Sequence, residues 1–242
     1  MNLSRRSVRP FIFLVLLGAA RTGPHGGQVD YRMVPHPVSG VELPRISLSE
    51  RPAVEQAVNE FLESTAADMM CQSDTPTEDQ EYSASVEVTY AENDVLSISI
   101  HASGFCGGAH PIVGANHSVT FDLLTGRPVS FRELFEDYER DAAEIATAYL
   151  ASLSAEALEG CEEDFDALEM YGFSYTLSRQ GVVIQPEFPH VMVACAHPSM
   201  VPFERILGLA SKESILIRVA RPSRHAFVRL RSTLGLRGRT SP

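Results

Sequence analysis

Apolar and polar residues alternate with a period of two in the first half of the chain. In the stretch 82–90 every second side chain is apolar, and the stretch 96–100 resumes this alternation after the turn-forming residues 92–94. Such alternation predicts a β-hairpin with one buried face and one face that is exposed or used for contacts. The segment 41–46 predicts an edge strand, because Pro44 cannot donate a ladder hydrogen bond.

The segment between the edge strand and the hairpin has the hydrophobic period of a helix. Ser49 can cap a helix that has Pro52 in its first turn. Apolar residues then recur at helical spacing, at Val54, Ala57, Val58, Phe61 and Leu62. This stripe predicts a helix that covers the apolar face of the hairpin.

The later segments predict further strands and helices. They are a strand through Val119 and Phe121, a helical stretch from about 132 to 158, a hairpin built on 173–177 and 181–185, a short strand or bend at 191–195, a helix opening at 201–204, and a strand or helix at 215–219. There is no βαβ rhythm. We therefore predict an α+β fold in which an antiparallel sheet built from hairpins packs against helices, in two closely packed lobes.

The first twenty residues predict an export signal. Three arginines precede the apolar run 11–17, which is followed by small residues. A spanning helix needs about 20 apolar residues, so we expect cleavage near Ala20 and no stable membrane span afterwards. The mature protein is then periplasmic or extracellular. Sec and twin-arginine export both stay open.

Composition divides the rest of the chain into three parts. Residues 21–39 are rich in glycine, proline and histidine and predict a flexible lead-in. Residues 211–242 form a basic C-terminal extension, and the stretch between these two segments carries the predicted strands and helices. The extension is either a solvated tail or a segment that adheres to anionic envelope polymers.

The charge balance is acidic and excludes some partners. The full chain has 20 basic and 31 acidic residues, and without the three leader arginines its net charge is about −14. Nucleic-acid binding is therefore not expected. An acidic surface suits a cationic partner, because long-range attraction raises the rate of encounter.

Four cysteines form an even set in a chain with a predicted export signal: Cys71, Cys106, Cys161 and Cys195. Two disulfides are expected, and three pairings are possible. The pairs Cys71 with Cys106 and Cys161 with Cys195 link segments that should lie near each other. The spacing is not that of a metal site, and we predict neither a metal nor a cofactor.

The unusual bend at Gly107, Gly108, Ala109, His110 and Pro111 could be an active site or an architectural motif. Adjacent glycines permit positive φ, and proline fixes the exit of the bend. A histidine in such a bend can bond backbone groups that the irregular chain leaves unpaired. We expect His110 to act as this kind of clamp.

A catalytic role for His110 would need Asp122 as its orienting carboxylate, with His117 nearby. Asp122 precedes a tight turn, where it can also accept local backbone hydrogen bonds or pair with Arg127. No Gly-x-Ser-x-Gly elbow supplies a nucleophile. We therefore predict a protein without enzymatic activity and keep His110 and Asp122 as weak catalytic candidates.

Three motifs in order carry a family resemblance: "GGAHP" at 107–111, "FDLLTG" at 121–126 and "FRELF" at 131–135. Together they resemble the extracytoplasmic domain of the lysozyme-sensing anti-sigma factor RsiV and the N-terminal region of the peptidoglycan deacetylase PdaC. The resemblance covers roughly residues 40–210. The deacetylase motif of PdaC is not matched, since Leu123 interrupts the run that begins at Thr120.

The resemblance implies a non-catalytic exported protein of the cell envelope that binds a lysozyme-like muramidase or cell-wall glycan. One alternative is a hydrolase or metal-dependent enzyme centred on His110, Asp122 and His117. Another is a structural envelope component that docks through its basic tail.

Overall fold

The computed structural model describes residues 27–37, 39–68, 81–105, 112–165, 168 and 171–220. Nine strands lie in this part of the chain: β1 (Asp30–Pro35), β2 (Glu42–Ser47), β3 (Glu81–Glu92), β4 (Val95–Phe105), β5 (Ile112–Asp122), β6 (Arg127–Pro128), β7 (Phe173–Leu177), β8 (Gly181–Pro186) and β9 (Ser199–Pro202). The helices are α1 (Pro52–Asp68), α2 (Tyr138–Leu150), α3 (Ala155–Leu158), α4 (Glu162–Phe165), α5 (Phe203–Ile206) and α6 (Ile215–Val219). None of the described helices is long and apolar enough to cross a membrane.

The strands form three antiparallel sheets. Their orders are β1-β2, β3-β4-β5-β6 and β7-β8-β9. Every pairing joins neighbours in sequence, as expected for a fold made of hairpins. The predicted α+β class is confirmed.

The hairpin between β3 and β4 depends on a turn in which Asn93 and Asp94 both have positive φ, 54° and 57°. This is the backbone of a type I′ turn, whose twist matches that of the flanking strands. Arg51 forms an ion pair with Asp94 and donates a 2.7 Å hydrogen bond to the carbonyl oxygen of Leu123. One guanidinium thus ties the start of α1 to the turns at the ends of β3 and β5.

The first lobe consists of α1 packed on one face of the four-stranded sheet. Its core contains residues from the hairpin, from β5 and from the helix, including Val58, Leu62, Leu96, Ile98, Ile100 and Phe121. Asn59 is also buried, and its side chain bonds both the N–H and the carbonyl of Ile46 in β2. The predicted helical stripe is confirmed at Val58 and Leu62, whereas Ala57 is exposed.

The second lobe contains the three-stranded sheet, α2 and the shorter helices around an aromatic core. Tyr149 at its centre is fully buried and donates a 2.7 Å hydrogen bond to the carbonyl oxygen of His197. The disulfide between Cys161 and Cys195 closes one side of this core, which confirms one of the predicted pairs. Cys71 and Cys106 lie outside the described residues.

A buried hydroxyl pair joins the two lobes. Ser97 and Thr120 lie on the sheet face opposite α1, and their side-chain oxygens are 2.8 Å apart. The N–H of Leu177 in β7 donates a 2.9 Å hydrogen bond to Ser97 Oγ. The alternation of β4 does turn Ser97 away from α1, but β7 covers it, so Ser97 is buried and not solvent-exposed.

The packed part of the chain extends beyond the predicted domain 40–210 at both ends. Residues 30–35, expected in a flexible lead-in, form β1 and pair with β2. Residues 215–219, for which the sequence predicted either a strand or a helix, form α6. Its Ile215, Leu216 and Val219 are buried in the second lobe. The predicted signal peptide 1–20 and the tail from 221 onward lie outside the described residues.

Two predicted elements differ in the structure. The helical stretch 132–158 is divided into a short 3₁₀ turn at Arg132–Leu134, α2 and α3, because Asp137 and Ser154 each cap a new helix. The segment His190–Cys195 is a 3₁₀ helix and not a strand.

Candidate binding site between the two sheets

A cleft of about 270 Å³ lies where β5 of the first lobe meets β7 of the second. Two parts of the chain line it: residues 118–138, through β5, the loop 129–132 and the first residue of α2, and residues 172–187, through 172–175 and Glu187. Its volume is just below the roughly 300–1,000 Å³ of pockets that enclose whole small molecules. The cleft therefore suits one unit of a larger ligand.

Aromatic rings form the wall of this cleft on the side of the second lobe. Phe131 lies 5.3 Å from Phe173, 5.6 Å from Tyr175 and 6.0 Å from Tyr138, measured between ring centroids. The Tyr175 hydroxyl donates a 2.9 Å hydrogen bond to the carbonyl oxygen of Val129. This bond holds the loop over the rings, and the wall is rigid because each ring packs on another.

Small hydroxyl side chains of β5 also line the cleft. Thr120 is held by Ser97, whereas the buried Oγ of Ser118 has no hydrogen-bond partner among the residues that the structure describes. A buried hydroxyl without a partner costs free energy unless a ligand or water satisfies it. Ser118 Oγ therefore has an unused capacity to bind a polar ligand.

One charge of each sign lies at the rim of the cleft. The guanidinium of Arg132 lies over the Tyr138 ring, 4.8 Å from its centroid, and forms an ion pair with Glu139. Glu187 also lines the cleft, and its carboxylate acts on Tyr138. Burial is the main cause that raises the pKa of Tyr138 above 10, and Arg132 opposes it. The phenol is thus neutral near pH 7 and can both donate and accept hydrogen bonds.

The loop that carries Phe131 and Arg132 is held by hydrogen bonds between Ser130 and Glu133. The N–H and the hydroxyl of Ser130 donate hydrogen bonds of 2.7 and 2.8 Å to Glu133 Oε2. Arg127 also pairs with Glu133, at 3.1 Å. The carboxylate of Glu133 therefore fixes the direction in which the loop 129–132 leaves β6.

Acidification is expected to weaken the hydrogen bonds between Ser130 and Glu133. The hydrogen bonds from Ser130 hold the pKa of Glu133 below its usual 4.5. The unfolded chain binds this proton more tightly, so the stabilisation is complete above about pH 4.5 and is lost as the pH falls below it. We expect the free energy of unfolding to fall more in the wild type than in Glu133→Gln between pH 6 and pH 3.5.

The expected difference is about 0.5 kcal/mol at most, because Glu133 is half exposed to solvent. Urea unfolding at the two pH values measures it. Equal pH dependence in both proteins would show that Glu133 does not hold the loop.

The structure places two of the three residues of the catalytic hypothesis, Asp122 and His117, apart from each other. Asp122 Oδ1 accepts a 3.0 Å hydrogen bond from the N–H of Leu124, as expected, but its ion pair is with Arg218, at 2.7 Å, and not with Arg127. His117 is exposed five residues earlier on the same strand, about 17 Å away at the usual rise. His110 and the rest of the bend 107–111 lie outside the described residues.

The residues of the cleft were not identified as site residues from the sequence. Phe131 and Arg132 lie in the "FRELF" motif, which carried part of the family resemblance but indicated no binding role. Ser118, Tyr138 and Glu187 carry no local motif. Ser118 and Glu187 lie close to the ends of predicted strands, whereas Tyr138 lies inside the predicted helical stretch 132–158.

Comparison with known proteins supports the fold and part of the resemblance. Residues 39–113 match the family described as Deacetylase PdaC, which confirms the resemblance for less than half of the chain. This match covers β2 to the start of β5, including the bend 107–111. The likeness to RsiV stays a prediction. No curated protein matches the chain.

Two solved structures of DUF3298 family proteins are similar. The protein from Bacteroides fragilis NCTC 9343 has a TM-score of 0.52 at 12% identity, over 82% of this chain and 100% of that chain. The protein from Pseudomonas aeruginosa PAO1 has a TM-score of 0.44 at 15% identity, over 78% of this chain and 96% of that chain. At 12% identity the Bacteroides likeness shows a shared fold only.

Proposed function

We propose that this chain is a non-catalytic exported protein of the bacterial envelope that binds cell-wall glycan in the cleft between its two sheets. The observation that carries the proposal is the pairing of an aromatic wall with the hydroxyl side chains of β5, among which Ser118 Oγ has no partner in the described part of the chain. A sugar ring has apolar C–H faces and polar edges. Such a ring can pack on Tyr138 while its edge bonds Ser118.

The charges at the rim favour a neutral ligand. Arg132 already pairs with Glu139, and the carboxylate of Glu187 adds a further negative charge. An anionic polymer would therefore find no excess of positive charge here. The disulfide between Cys161 and Cys195 is typical of proteins outside the reducing cytosol. Cell-wall glycan is also found outside the cytosol.

Co-sedimentation with purified peptidoglycan tests the proposal. We expect the mature protein to sediment with the insoluble glycan, and Tyr138→Ala and Ser118→Ala each to weaken binding by about tenfold, equivalent to one lost hydrogen bond or ring contact. Tyr31→Ala is the matched control, because Tyr31 is 40% exposed on β1, away from the cleft. Absence of sedimentation, or equal loss in Tyr31→Ala, would contradict the proposal.

A lysozyme-like protein is the second candidate ligand. It is favoured by the acidic surface of α2, where Asp137, Glu139 and Glu144 are exposed, and by the basic character of lysozymes. A pull-down with a purified muramidase at low and high salt separates this candidate from the first. Charge-driven binding should weaken as salt rises, whereas binding of a neutral glycan should not.

A further inference from the structure

The face of the four-stranded sheet that points away from α1 carries a continuous row of small polar side chains beyond the cleft. Residues directly opposite each other in an antiparallel pair share a face. By this register Glu87, Ser99 and Ser118 form one row across β3, β4 and β5. Ser85 with His101, and Ser83 with Ser103, form the next rows outward. We call these residues the hydroxyl face.

The hydroxyl face is continuous with the cleft. Ser118 belongs to both, since it lines the cleft and lies directly opposite Ser99. Ser99 Oγ is in turn 3.1 Å from His101 Nε2. From Ser99 to Ser103 the strand extends about 14 Å, at about 3.4 Å per residue.

The side chains of the hydroxyl face define what kind of ligand it can hold. Serine hydroxyls both donate and accept hydrogen bonds, and their short side chains leave the sheet flat and lose little conformational freedom on binding. The ionisable groups of this face are Glu87 and His101, and it carries no lysine or arginine among these residues. An anionic polymer is therefore disfavoured, and a neutral, hydroxyl-rich chain is favoured.

We propose that a glycan chain binds with one sugar unit in the cleft and its following units along the hydroxyl face. This inference rests on the proposed function and adds the form of the ligand: an extended polymer and not a single sugar or a chain end. The cleft supplies the ring-stacking unit, and the sheet supplies repeated hydrogen bonds to the units that follow. Affinity should therefore rise with chain length.

Calorimetric titration with N-acetylglucosamine oligomers of two to six units tests the inference on the mature protein. We expect the hexamer to bind at least tenfold more tightly than the dimer. The double variant Ser85→Leu, Ser103→Leu should bind the dimer as the wild type does but lose the gain from length, because both positions are exposed and lie beyond the cleft.

Ser64→Leu is the matched control, an exposed serine on α1 on the other side of the sheet. It should keep the full dependence on length. Equal affinity for dimer and hexamer, or full length dependence in the double variant, would overturn the inference while leaving glycan binding in the cleft intact. If no oligomer binds the wild type, the proposed function fails together with the inference.

Discussion

Replacing Phe131 with alanine is expected to lower the free energy of unfolding by about 3–5 kcal/mol. Phe131 is 4% exposed, and its ring contacts four other aromatic rings at centroid distances of 5.2 to 6.0 Å. Truncation removes the transfer free energy of the ring and leaves a cavity, because the surrounding rings hold one another in place. Urea unfolding followed by circular dichroism measures the loss.

Phe61→Ala is the matched control for this experiment. Phe61 lies in the first lobe, is 37% exposed and packs edge-on against Phe121 of the same lobe. Its truncation should cost about 1 kcal/mol, since much of the ring is already in water. If the two variants lose equal stability, Phe131 is not the centre of the aromatic wall.

Removing the disulfide with Cys161→Ala, Cys195→Ala is expected to lower the free energy of unfolding by about 3–4 kcal/mol. The two residues are 34 positions apart, so the bond restricts a long loop of the unfolded chain. Both cysteines are buried at the edge of the second core. Urea unfolding under non-reducing conditions compares the variant with the wild type.

Reductant provides the second arm of the disulfide experiment. Added to the wild type, it should lower stability at least as much as the double substitution does. In the double variant, reductant should lower the free energy of unfolding only if Cys71 and Cys106 form the second predicted disulfide. A variant as stable as the oxidised wild type would show that the Cys161–Cys195 bond contributes nothing to folding.

Local patterns in the sequence predicted the elements of the first lobe well. Alternation of polar and apolar residues at 82–90 and 96–100 has one structural solution, because a shift by one residue would turn Ile98 and Ile100 out of the core. The same pattern was insufficient for Ser97. Its burial depends on β7, which lies 80 residues later.

The second lobe and the candidate site were harder to predict. A short apolar run such as 215–219 fits a strand or a helix equally, and only packing decides between them. The break in the predicted helix at 132–158 depends on Asp137 as a cap and on the burial of Phe131 and Phe135 beside it. The cleft joins side chains from residues 118–138 with side chains from residues 172–187, so no single local motif could indicate it.

The position of α6 changes how the C-terminal extension can be studied. Arg218 reaches from this helix to Asp122 at the end of β5, and Ile215 and Leu216 fill the second core. A protein truncated after residue 210 would lose part of its hydrophobic core together with the arginines of the C-terminal extension. A defect in that shortened protein would reflect misfolding as well as lost charge, so a deletion that isolates the role of the basic tail has to begin after Ala220.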